Sequence, residues 1–159
     1  MAMLRPTGKS TENQVVRMLR KAYKLNVDIQ RLPDKYDTGN YEDTRPCDHI
    51  VSLSRDIALE KFLPNTFYIE SKETLATKTS FNIKSTFQKG QLQGMQRAHN
   101  LKLPYFIVFQ FLKDKENLYL VPSFEILEAL QAGKKSISVE TIKKYPWTTG
   151  ELYDYYSQP

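Results

Sequence analysis

Over residues 11–24 the apolar positions recur with helical spacing. Val15, Leu19 and Ala22 fall on one face with Val16 and Tyr23 beside them, while Arg17, Arg20, Lys21 and Lys24 flank or oppose it. Thr11 and Gln14 have capping-box spacing, which predicts the helix start. The period then changes. Residues 27–30 read as a short strand, and the turn formers Pro33, Asp34, Asp37, Gly39 and Asn40 predict a loop or arm over residues 33–45. Pro46 introduces a second strand over 48–53, and residues 67–72 make a third. Between them, 56–62 fits either a short helix or an extended hairpin tip. Residues 73–85 form a basic, Thr/Ser-rich loop, and a helix is expected over 86–100. Gly90 and Gly94 weigh against that helix, at about 1 kcal/mol each in a helix interior. The apolar and aromatic run 103–111 predicts a strand buried on both faces. Residues 118–121 return antiparallel to it, a helix follows Ser123, and the tail is irregular and rich in tyrosine.

The order α-β-β-β-α-β predicts an α/β fold, a mixed β-sheet flanked by helices, in a single domain over residues 1–159. Composition agrees: of 159 residues 40% are apolar and 26% charged, ordinary globular usage that excludes a disordered chain or a fibre. Runs such as Tyr105-Phe106-Ile107-Val108-Phe109 are too short to span a bilayer, so no membrane partner is expected. The first residues lack an apolar signal region, which predicts a cytoplasmic protein. Cys47 is the only cysteine, excluding a disulfide scaffold or a zinc ribbon within one chain.

The net charge of +5 is unevenly spread. Residues 1–35 carry +5, 36–69 carry −3, 70–102 carry +4 and 103–159 carry −1. Two basic blocks around an acidic one fit either a phosphate-binding surface around a carboxylate cluster or an ordinary solvated surface.

The chemistry concentrates on two strands. Asp48 opens one and Glu70-Ser71-Lys72 closes the next, 22 residues on. Alternation puts Glu70 and Lys72 on one face, and pairing of the strands brings Asp48 toward Glu70. Carboxylates about 4–5 Å apart repel unless a cation lies between them, and a hard divalent ion, Mg²⁺ or Mn²⁺, is the natural occupant. Lys72 is then placed to activate water or to stabilise charge on a phosphate. An exposed cross-strand ion pair is the competing reading of Glu-Xaa-Lys. Glu12 lies on the apolar face of the first helix, where either a functional site or the helix dipole accounts for it. Gln91 shares a stripe with Phe87, Met95 and Ala98, and an inward-facing amide needs partners, from a site or from the core. Cys47 reads as a small packed residue, and no Ser/His/Asp or Cys/His arrangement is evident around His49 or His99.

Asp48, Glu70 and Lys72, with Glu12 upstream and Gln91 downstream, resemble the PD-(D/E)XK nuclease superfamily. Within it, residues 68–74, Thr79-Ser80-Phe81-Asn82-Ile83-Lys84 and Gln91-Leu92-Gln93-Gly94-Met95 are similar to RecU-type Holliday junction resolvases. The resemblance spans residues 66–112, with a looser match over 8–19. It implies a restriction-endonuclease-like core and a homodimeric, Mg²⁺- or Mn²⁺-dependent endonuclease that cuts four-way DNA junctions symmetrically, in a bacterial cell or a phage-infected host. It further implies that Asp48, Glu70 and the carbonyl of Ser71 bind the metal, that Lys72 is catalytic, that Gln91 supports the site and that Glu12 lies at its edge. The basic residues Lys78, Lys84, Lys89 and Arg97 are the expected DNA contacts.

Two intervals depart from the family. The segment 31–45 is short and acidic beside the family's junction-entering arm, and 53–66 is longer than its tight connection. Both affect substrate geometry, which keeps two alternatives open. One is a nuclease of another DNA substrate (nickase, branched or restriction-like), the other a non-catalytic nucleic-acid-binding module.

Overall fold

The basic N-terminal stretch forms helix α1 (Lys9–Tyr23) in the computed structural model, which describes residues 9–33, 45–74, 79–112 and 114–152. The helix begins two residues before Thr11, and the expected capping box is not what Thr11 and Gln14 make. The buried Thr11 hydroxyl donates to Gln110 Oε1 at 2.8 Å, and Gln110 Nε2 donates to Gln14 Oε1 at 2.8 Å. A fully buried glutamine in mid-sheet has the stronger claim on those groups, because an unpaired buried amide costs more than an open helix end.

After a 3₁₀ turn (Lys24–Asn26) come β1 (Val27–Arg31), β2 (His49–Leu53), α2 (Arg55–Glu60), β3 (Thr66–Thr74) and β4 (Ser80–Asn82). Then follow α3 (Ile83–Thr86), α4 (Lys89–Asn100), β5 (Tyr105–Phe111), β6 (Asp114–Pro122), α5 (Phe124–Gln131), β7 (Ser136–Ser138), α6 (Val139–Ile142) and β8 (Pro146–Trp147). The segment 56–62 is thus helical in its first part, started by the Ser54 side chain accepting from the Ile57 N–H at 3.4 Å.

Two expectations need correction. The helix over 86–100 is broken, because Phe87 is extended and drives its ring into the core edge-on to Phe109. The backbone N–H of Gln88 then donates to Gln91 Oε1 at 2.9 Å and starts α4 afresh. The loop over 73–85 is also partly structured. β3 runs on to Thr74, and β4 pairs antiparallel with β7, placing Phe81 opposite Ile137. Within that stretch residues 75–78, including Lys78, lie outside the described residues, as do 34–44 of the arm and the tail tyrosines Tyr153, Tyr155 and Tyr156.

The main sheet has the order β1-β2-β3-β5-β6-β8. Only β3 and β5 are parallel, joined by the crossover through α3 and α4, and every other pair is antiparallel. Both faces of the sheet are covered. Val15 and Leu19 of α1 pack with Val51, Phe67, Ile69, Phe106 and Val108 on one side. Met95 and Ala98 of α4 and Ile126 of α5 pack with Ile107, Phe109, Phe111 and Val121 on the other. All seven residues of β5 are buried, as expected for a strand with helices on both faces. Among the described residues no helix is long and apolar enough to cross a membrane.

Candidate metal and phosphate site

The antiparallel register of β2 and β3 sets His49 against Ile69, so Asp48, one residue earlier, lies beside Glu70. Glu70 and Lys72 point to the α4 face, where Gln91 reaches down from the first turn of that helix. Gln91 Nε2 donates to Glu70 Oε1 at 2.8 Å, while Gln91 Oε1 accepts from Lys72 Nζ at 3.2 Å. Lys72 Nζ also lies 3.3 Å from Glu70 Oε1 and 5.4 Å from the centre of the Phe87 ring. The break at Phe87 therefore places an aromatic face against the lysine, an attraction of about 0.5–2 kcal/mol. The Glu70–Lys72 pair is a half-buried to buried contact rather than an exposed cross-strand bridge.

Asp48 is fixed from several sides. Its Oδ2 accepts from the Ser71 N–H at 2.9 Å, and its backbone carbonyl accepts from Leu32 N–H at 2.8 Å. Its Oδ1 faces Arg45 Nη1 at 3.7 Å. In a strand the N–H and C=O of one residue point to the same edge, so the Ser71 carbonyl faces the β2 side of β3, as its N–H does. Glu12, at the start of α1, is half-buried and lies 3.4 Å from Arg31 Nε.

Burial and crowding shape the charges. Loss of water, with the neighbouring Asp48 carboxylate, pushes the Glu70 carboxyl up to about 8, against the opposing pull of Lys72. Burial, then Asp48, raises Glu12 as well, partly offset by Arg31. Asp48 thus acts on both Glu70 and Glu12, although Glu12 comes from the opposite face of the sheet. Burial pushes the Cys47 thiol up to about 12, so it stays protonated and inert, its Sγ donating to the His49 carbonyl at 3.2 Å. Burial lowers the His49 imidazole and keeps it neutral.

The donor set suits a hard cation. Glu70 Oε2 is buried with no hydrogen-bond partner, an orphaned acceptor beside a second carboxylate. Among the described residues no three His, Cys, Asp or Glu side chains converge as a metal cage. Two carboxylates, a backbone carbonyl and water are what Mg²⁺ accepts, whereas zinc prefers nitrogen and sulfur. Lys84, Lys89 and Arg97 are exposed on the α3–α4 side, the side from which Gln91 enters the site. Residue spacing does not reveal Arg45 beside Asp48, Phe87 beside Lys72, or Tyr105, whose hydroxyl donates to the Pro46 carbonyl. Arg45 alone leaves a sequence signal, a cation three residues before the aspartate.

No family model and no curated protein matches the chain. Among solved structures it is similar to Hjc of Archaeoglobus fulgidus, a Holliday junction resolvase from an archaeal hyperthermophile. The TM-score is 0.51 at 12% identity, covering 85% of this chain and 91% of that one. The likeness gives the fold, a restriction-endonuclease-like core with a mixed sheet flanked by helices.

Proposed function

We propose that this chain is a divalent-metal-dependent, structure-selective DNA endonuclease of the resolvase kind, one domain acting as a homodimer on four-way junctions. One observation carries the reading: Asp48 and a buried Glu70 with an unpartnered oxygen stand side by side, next to a lysine held in place by Gln91. A non-catalytic module has no use for carboxylates that repel phosphate. The Hjc-like fold supports the same reading, and the sequence motifs around Glu70, Phe81 and Gln91 resemble those of RecU-type resolvases.

Asp48, Glu70 and the Ser71 carbonyl would hold Mg²⁺ or Mn²⁺. The cation would neutralise phosphate charge and make water a better nucleophile. Glu70 must lose its proton for this, and Lys72, as a fixed positive neighbour, favours that loss. Gln91 holds both partners with one amide and so fixes the distance between carboxylate and ammonium. Lys72 then stabilises charge that builds on the phosphoryl oxygens. Lys84, Lys89 and Arg97 neutralise neighbouring phosphates, and Lys78 belongs with them by sequence. Symmetric resolution needs paired cuts, hence two copies of the site.

The test is a substrate panel. Purified protein is incubated with a labelled four-way junction, a Y-fork and a linear duplex, each with Mg²⁺, Mn²⁺ or EDTA. Paired cuts confined to the junction are expected. Single-strand nicks in all three DNAs would favour a nickase, and metal-independent binding without cutting would favour a binding module.

A further inference from the structure

The segment that carries Asp48 is gripped two residues upstream. Tyr105, at the start of β5 and buried, donates its hydroxyl hydrogen bond to the Pro46 carbonyl. α4 also presses its backbone onto the same proline. A Cβ built at Gly94 would stand 2.7 Å from Pro46 Cβ, 2.8 Å from its Cα and 2.9 Å from its carbonyl oxygen. No side chain fits that gap without moving backbone. Gly94 lies on the same helix as Gln91, which holds Glu70 and Lys72. The carboxylates are thus referenced to one helix by two routes, Glu70 through the Gln91 amide and Asp48 through the Pro46–Gly94 contact.

The geometry points to Tyr105 and Gly94 as positioning residues that clamp Pro46 and thereby set Asp48 against Glu70 for cation binding. The inference rests on the reading of Asp48 and Glu70 as metal ligands. It goes beyond that reading by assigning the precision of the site to a tyrosine hydroxyl and a glycine that touch neither metal nor DNA. A ligand whose backbone is free to drift must be ordered when the ion binds, and the affinity falls by that amount.

Calorimetry of Mn²⁺ binding to the full chain tests this, with Tyr105→Phe as the main variant because it removes only the hydroxyl. Its Mn²⁺ Kd should rise about tenfold, and the Mn²⁺ concentration giving half-maximal junction cleavage should rise with it, the rate recovering at saturating metal. Tyr23→Phe is the control, because the Tyr23 hydroxyl also makes a buried bond, accepting from Leu152 N–H at 2.6 Å, on α1 and away from Pro46. It should lower the melting temperature and leave the Mn²⁺ Kd unchanged. Gly94→Ala should weaken Mn²⁺ binding at least as much wherever it folds, and Tyr105→Phe decides the matter if it does not. A wild-type Kd in Tyr105→Phe, together with lost binding in Asp48→Asn, overturns the clamp alone. Wild-type Mn²⁺ binding by Asp48→Asn overturns the ligand assignment and the clamp with it.

Discussion

Replacing Glu70 by glutamine should make the metal-free protein progressively more stable than wild type as the pH rises. The wild-type carboxyl is held near 8 in the folded state, against an ordinary value of 4.5. The raised value means that folding favours the protonated form. Below pH 4.5 both states are protonated and nothing is lost; as the pH climbs toward 8 the unfolded chain ionises more readily and stability falls, then levels off. Each unit between those limits is worth about 1.4 kcal/mol, so by pH 7 the accumulated loss is roughly 2–4 kcal/mol. Glutamine is the same shape, still accepts from Gln91 Nε2, and does not titrate. Its loss of the Lys72 ion pair shifts stability in the opposite direction, which makes the change with pH the diagnostic quantity. The assay is thermal or urea unfolding of both proteins in EDTA at half-unit steps from pH 5 to 8.5. The expected result is a difference that grows across this range by several degrees in melting temperature. A difference that is flat with pH would mean that Glu70 is solvated or already compensated, and the argument for a cation between the carboxylates would lose its basis.

Lys72→Ala should eliminate cleavage yet leave Mn²⁺ binding detectable by calorimetry, since an ammonium is not a ligand; binding lost together with activity would contradict that division of roles. Lys84→Ala, Lys89→Ala and Arg97→Ala should each weaken binding to every DNA form and reduce the salt slope by about one unit, measured by fluorescence anisotropy at several salt concentrations. Gln110→Leu should destabilise the fold by roughly 1–3 kcal/mol in urea unfolding, because it strands the buried Thr11 hydroxyl that the wild-type amide satisfies.

The strand half of the site is legible in the sequence because it depends on local rules. Alternation puts Glu70 and Lys72 on one face, and a Pro-Xaa-Asp strand beside them has only one way to bring its carboxylate near. Gln91 is legible for a related reason, as a polar residue on an otherwise apolar helical stripe. What stays hidden depends on partners distant in sequence. Nothing near Thr11 says that Gln110 will draw it away from the helix end. The break before α4 is set by the place of Phe87 in the core rather than by a strong breaker, since the flanking residues have ordinary helix propensity. The pairing of β4 with β7 likewise joins three-residue strands too short to show a period. Gly94 looks like a weakness in a helix until Pro46 is seen against it.

In the proposed function the Asp48–Glu70 pair cuts DNA with the help of a divalent cation. Its most direct test follows a labelled four-way junction with wild type and Asp48→Asn in Mn²⁺, reading cleavage and binding from the same samples. Wild type should cut only with metal and the variant not at all, with junction binding by the variant equal or tighter because a negative charge beside phosphate is gone. Cleavage by Asp48→Asn at the wild-type rate would contradict it.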